Sequence, residues 1–297
     1  MHMSRKILAL LGLGLFVAIF MILLLGYLSE TLGGKTPLSK AEIDRAKEGV
    51  QRNQFWKPVE RRVNGYDMVL VPAGCFTMGS SDAQLEVAQA SCERFFGRGK
   101  CQIDFQSLEQ PSQESCFGEP FWIGLTEITN RQFGAPLHTE KEGHYRARSW
   151  PVEAVSWQEA RDYCETHGMR LPSESEWEYA ARGPDALIYP WGNEFYSDRL
   201  VWGMLNPDDV AQYVAGASWV GALDMSGGIA EWVQDSFKPY DDIPDPSKPV
   251  LRVARGGSWF SFAPFYLRSA MRDTYGQDFA SSVIGFRCGA DFDFVTN

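Results

Sequence analysis

From Ile7 to Leu28 the chain runs for 22 residues without a charged side chain. At about 1.5 Å of rise per residue, a helix of that length reaches across a roughly 30 Å hydrocarbon core. Arg5 and Lys6 precede the run and Glu30 follows it. The positive-inside bias therefore predicts residues 1–6 in the cytoplasm, residues 7–28 as an inner-membrane anchor and everything after Ser29 in the periplasm. A cleaved signal peptide is the rival reading. Its apolar region is shorter, about 7 to 15 residues, and ends in a small-x-small site. This run instead exits through Gly26-Tyr27-Leu28-Ser29-Glu30, so an uncleaved anchor is expected.

The rest of the chain is too apolar and too aromatic for disorder, with 44% apolar and 13% aromatic residues overall. A net charge of −10 argues against a nucleic-acid partner, which needs clustered cations. The mean hydropathy of −0.25 excludes a polytopic membrane protein. All six cysteines, Cys75, Cys92, Cys101, Cys116, Cys164 and Cys288, lie beyond the apolar run. An even count in an exported region predicts structural disulfides, and no pair has CxxC spacing. Six cysteines allow 15 pairings, so the count leaves connectivity open.

Residues 29–62 read as a juxtamembrane stalk, with a Ser39/Glu42 capping box opening a short, exposed, mixed-charge helix. The globular part, residues 63–297, opens on the apolar strand Met68–Val71. Ser156 with Glu159 and Ser173 with Glu176 predict two more capped helices, stopped by Gly168 and Gly183. After Gly183 helical periodicity fades into Gly, Pro, Trp and short strand-like runs, which predicts an irregular α+β domain. Residues of about 80–118 read as a polar surface insertion pinned by a local Cys92–Cys101 bond, and Asp241–Pro249 as an exposed loop.

Eight short segments, in order, carry a resemblance: Val71–Gly79 (VPAGCFTMG), Thr126–Asn130, Pro151–Trp157, Arg170–Gly183, Tyr189–Asn193, Asp224–Trp232, Arg255–Trp259 and Ile284–Cys288. Together they resemble the formylglycine-generating enzyme, or sulfatase-modifying factor, family over residues 66 to 291. The resemblance implies that family's irregular, C-type-lectin-like fold with little regular secondary structure. It also implies a Cys164–Cys288 bridge, and Cys75–Cys116 and Cys92–Cys101 are favoured for the remainder. Family members bind calcium with ligands spaced as Asp224, Gly227, Ile229 and Glu231 stand here, and hard oxygen donors suit that ion. Gly228 stands where the family usually has Asn, and the family's second calcium site has no clear counterpart between Arg199 and Val214.

The family's enzymes hold cuprous copper between two cysteines, and those positions are Ser261 and Tyr266 here. A hydroxyl and a phenol are poor substitutes for soft thiolates, so copper-dependent formylglycine generation is not expected. His138 and His144, with Glu140 and Glu142, form too sparse a set to replace the metal. Arg268, Arg272 and Arg287 match family positions and read as structural ion pairs or carbonyl clamps. Ser258, Ser261, Tyr266 and Trp232 form the candidate pocket, with no base or metal to define a reaction.

Two functions follow. In the first, the protein is a pseudoenzyme, a regulatory or binding accessory of the cell envelope. It resembles in compartment and missing ligands a periplasmic regulator of the type VI secretion phosphorylation cascade, and the insertion would receive an envelope protein partner. In the second it is a periplasmic oxidative tailoring or maturation enzyme acting on a peptide-like substrate, like family branches that act in pyoverdine maturation or accompany nitrite reductases.

Overall fold

The computed structural model describes residues 37–63, 65–135, 147–238 and 250–294. The Ile7–Leu28 run, the His138–His144 segment and Asp241–Pro249 lie outside the described residues. Among the described residues no helix is long and apolar enough to cross a membrane.

The chain opens with α1 (Lys40–Glu48), β1 (Glu60–Val63), β2 (Tyr66–Val71) and β3 (Gly74–Met78). The Ser39/Glu42 box caps α1 as predicted. The segment differs from a stalk, however. Leu38, Ala46, Val50, Trp56 and Val59 are buried in the main core, and β1 pairs antiparallel with β2. The charged composition hides a few apolar residues that all land on the domain, and Arg45 lies over the Trp56 ring at 4.7 Å. The folded part thus reaches back to Leu38.

Next come α2 (Asp82–Phe96), α3 (Phe105–Glu109), β4 (Gln113–Phe117), β5 (Phe121–Gly124), α4 (Asn130–Phe133), α5 (Trp157–Thr166) and α6 (Glu174–Arg182). The boxes at Ser156 and Ser173 cap α5 and α6. Two more, Ser81/Gln84 on α2 and Thr129/Gln132 on α4, were not anticipated. The rest is β6 (Ala230–Ser236), β7 (Leu251–Arg255), β8 (Arg272–Gly276), β9 (Ile284–Gly285) and β10 (Gly289–Asp291), joined by long irregular stretches.

Two four-stranded sheets frame the core, in the orders β1-β2-β5-β10 and β8-β7-β6-β9, with β3-β4 as a separate pair. Within the second sheet only β6 and β9 run parallel. Trp122, Trp177, Trp232, Tyr179 and Phe286 fill the space between these elements at or near zero exposure. The three expected disulfides are all present: Cys164–Cys288 ties α5 to the C-terminal segment, Cys75–Cys116 crosses β3 and β4, and Cys92–Cys101 closes the end of α2. No cysteine is left free.

Candidate functional site

The candidate pocket lies in the connection between β7 and β8. Arg255 ends β7 and is followed by two glycines in left-handed conformation, Gly256 (φ 92°) and Gly257 (φ 68°). A Cβ on Gly257 would stand 2.7 Å from the Tyr266 carbonyl oxygen, so the turn closes this tightly only because glycine is there. Within it the Ser258 backbone N–H donates to Ser261 Oγ at 3.0 Å, and the Phe260 N–H donates to Ser258 Oγ at 3.3 Å. Both hydroxyls thus act as turn acceptors.

Tyr266 is half-buried next to Phe265, ring centroids 4.2 Å apart. Burial first, and then the nearby Asp273 charge, push its phenol above the ordinary value. It stays protonated and is a poorer metal ligand still. Trp232, the fourth candidate, does not join this turn. It is fully buried, donates its indole N–H to the Val155 carbonyl at 2.9 Å and meets Tyr275 edge-on, so it lines no opening. Its sequence neighbourhood pointed to the site, but β6 turns it into the core.

The insertion covers this connection from one side. Ala88 and Cys92 of α2 and Phe105 of α3 are buried against Ala263, Phe265 and Met271. Glu109, at the end of α3, is fully buried. It accepts two hydrogen bonds from Arg268, at 2.6 and 2.8 Å, and one from Ser80 Oγ at 2.6 Å. What reads in the sequence as a polar surface insertion is therefore locked to the candidate site by a buried ion pair.

Arg272 and Arg287 act as the clamps expected of them. Arg272 makes a two-point pair with Glu174, at 2.6 and 2.8 Å. Arg287 does the same with Glu231, at 2.6 and 2.7 Å, and also donates to the Gly124, Leu125 and Leu223 carbonyls.

The candidate calcium ligands lie on the turn before β6. Asp224 adopts a left-handed φ of 58° and accepts the Ala211 N–H on Oδ2 at 2.6 Å. Glu231 is fully buried and already engaged, because Trp177 Nε1 also donates to its Oε2 at 2.8 Å. Glu127, absent from the expected ligand set, is the acid with spare capacity. Its Oε1 accepts the Ile229 N–H at 3.3 Å, while its buried Oε2 has no hydrogen-bond partner. Burial, reinforced by Asp224, raises its pKa well above the ordinary range, and burial raises that of Asp224. A Cβ on Gly228 would come within 2.4 Å of Glu127 Oε1, so glycine at this position leaves room for the carboxylate. An orphaned buried carboxylate oxygen beside a second acid fits a hard cation. The signal for Glu127 was its place in the Thr126–Asn130 segment; its neighbourhood with Asp224 exists only in the fold.

Solved structures share this architecture. A structure of PvdO from Pseudomonas aeruginosa is 23% identical and superimposes with a TM-score of 0.59 over 76% of this chain and 95% of that one, a likeness of fold. Among curated proteins, the inactive C-alpha-formylglycine-generating enzyme 2 of Bos taurus is 35% identical over 57% of this chain and 58% of its own length. The formylglycine-generating enzyme of Streptomyces coelicolor is 34% identical over 61% of this chain and 64% of its own. The chain thus spans roughly three-fifths of these relatives. The model of the sulfatase-modifying factor enzyme 1-like domain matches residues 54–292, and the chain accordingly belongs to the FGE-sulfatase family.

Proposed function

We propose that the protein is a binding or regulatory accessory of the cell envelope, anchored through residues 7–28, that does not perform copper-dependent formylglycine generation. A phosphorylation pathway controlling type VI secretion is one setting that suits it. The observation that carries this reading is the pair Ser261 and Tyr266 at the positions of the family's two thiolates, in a chain whose six cysteines are all bridged. Ser261 Oγ serves the turn and the Tyr266 phenol is held neutral, so neither offers copper a soft anionic donor. A curated relative named as inactive supports the same reading.

The test is oxygen consumption and aldehyde formation by the purified chain, supplied with cuprous copper and cysteine-containing peptides. Neither is expected. Turnover in any metal-loaded sample would favour the oxidative tailoring or maturation alternative.

We further propose a structural calcium ion held by Asp224 and Glu127, with backbone oxygens of Gly227 and Ile229 as further donors. Glu231 would then support the site through Arg287 rather than take a full share of the ion. Calcium at about 100 times its dissociation constant would stabilise the fold by about 2.7 kcal/mol. Differential scanning fluorimetry should show the melting temperature rising with calcium, and Glu127→Gln or Asp224→Asn removing the rise. A calcium response retained in both variants would defeat this ligand set.

A further inference from the structure

Half of the large apolar side chains that stand exposed among the described residues converge on the β7–β8 connection. Phe95 and Phe96 end α2 at 48% and 40% exposure, and Phe260 and Phe262 stand in the connection at 53% and 44%. The two elements join through rings. Phe95 meets Phe262 at a centroid distance of 5.1 Å, Phe96 meets Phe265 at 6.0 Å, and Phe262 meets Tyr266 at 5.6 Å. Met204 and Leu205, 52% and 83% exposed, flank them. Their segment is tied to the connection where the Gly203 and Met204 N–H groups donate to the Ser261 and Trp259 carbonyls, both at 2.8 Å.

At roughly 200 Å² for each fully exposed large side chain, the patch presents on the order of 600 Å² of apolar surface. That is more than scattered surface residues explain and approaches one side of an ordinary protein interface, about 800 Å². Ring contacts already fix the aromatic side chains, so less rotamer freedom is lost on binding.

Charge selects the occupant. Arg94, Arg98 and Lys100 are exposed on the same end of α2 and the loop closed by Cys92–Cys101. Among the described residues none of the three is held in an ion pair, in a chain whose net charge is −10. The acids of the helix, Asp82, Glu86 and Glu93, line a groove of about 580 Å³ with Asp104, and of these only Glu93 stands in the last turn beside Arg94. A symmetric contact between two copies would bring two sets of these three cations into one interface with no carboxylate among the proposed contact residues to offset them. An acidic partner would neutralise them.

We propose that this surface docks an acidic segment of a protein partner, with apolar side chains on Phe95, Phe96, Phe260 and Phe262 and carboxylates on Arg94, Arg98 and Lys100. The proposal rests on the accessory reading above and gives it a site and a partner chemistry. The Cys92–Cys101 bond holds the cationic loop against the aromatic end of α2, and the Glu109–Arg268 pair holds α2 and α3 against the connection.

The test is selection of random peptides on the full chain in lipid nanodiscs, where no detergent competes for the patch, followed by titration of the selected peptides. Expected peptides combine Asp or Glu with Phe, Leu, Trp or Tyr. Their affinity should fall at least ~10-fold in a Phe95→Ala/Phe262→Ala variant, as for removal of central aromatic anchors. An Arg94→Glu/Arg98→Glu/Lys100→Glu variant should lose the acidic peptides and select basic ones. Unchanged melting temperature and an intact Cys92–Cys101 bond serve as folding controls for these surface changes. Failure to enrich any peptide, enrichment without acidic bias, or affinities unmoved by both variants would overturn the proposal. So would a concentration-dependent dimer that Phe262→Ala dissolves, since the occupant would then be a second copy. Oxygen-dependent turnover would sink the accessory reading without touching the peptide selection, so the two failures are separable.

Discussion

The ends of the β7–β8 connection and its middle are built on opposite principles. At the ends, Arg255, Arg268 and Arg272 are at most 2% exposed, and each is paired with a buried carboxylate: Glu178 and Glu174 for Arg255, Glu109 for Arg268, Glu174 for Arg272. In the middle, Phe260 and Phe262 face outward and the hydroxyls of two serines accept hydrogen bonds from N–H groups of their own turn. The ends fix where the middle sits, whatever side chains the middle carries. The ionic frame can therefore hold the fold whichever side chains stand at Ser261 and Tyr266, and under the accessory reading the segment between the anchors serves as a surface.

Breaking an end should have the largest effect. Glu178 is fully buried, pairs with Arg182 and Arg255, and accepts the Gly79 N–H at 2.8 Å. Glu178→Gln leaves two buried guanidinium groups short of a counter-charge, toward the upper part of a roughly 3–5 kcal/mol range. That corresponds to a melting temperature lower by about 10 °C or more for a domain of this size. A drop within two or three degrees would mean that the ionic frame does not hold the fold. Arg268→Met should cost somewhat less, about 3 kcal/mol, because Ser80 still donates to Glu109. Its signature is local: hydrogen exchange should accelerate in residues 80–118 before the rest, as the insertion loses its tie to the connection.

The difference between ends and middle also explains what the sequence revealed. The capping boxes at Ser39, Ser156 and Ser173 were legible because each is a local rule over four residues. The Cys164–Cys288 bond and the arginine clamps were legible through a family pattern, and Cys92–Cys101 through its spacing of nine residues. The role of Leu38, Ala46, Val50 and Trp56 was not, since isolated apolar residues in a charged stretch show no period until a core receives them. Glu109–Arg268 was equally invisible, because its partners lie 159 positions apart. Trp232 sits beside Glu231 in a site-like motif, yet strand alternation turns it to the opposite face of a strand buried on both sides there. Glu127 became a candidate ligand only when the fold set it beside Asp224.

Asp273 follows Arg272 on β8 and tests where the frame stops. Burial raises its pKa from 3.8 to about 6, even though the Arg255 charge pulls the other way. A carboxyl group with a raised folded-state pKa contributes stability in full below about pH 4, and that contribution is lost as pH climbs through 6. Asp273→Asn should therefore leave stability at pH 4 nearly unchanged and raise it at pH 7.5 by about 1–3 kcal/mol. Chemical denaturation at the two pH values measures the difference. A loss at pH 7.5 would show that Asp273 belongs to the stabilising ionic frame, and the boundary drawn here would move by one residue.

The smallest effect is expected in the middle itself. Ser261→Ala removes the acceptor for the Ser258 N–H, a single neutral hydrogen bond worth about 1 kcal/mol. Gly256 and Gly257 would still set the turn, and the Arg255 and Arg268 anchors would be untouched. The melting temperature should fall by roughly 2–4 °C, and affinity for peptides selected on the aromatic patch should stay within about twofold, since none of the proposed contact residues is altered. A cost above ~3 kcal/mol would place Ser261 within the structural frame, and its position would then be held by folding rather than left free to vary.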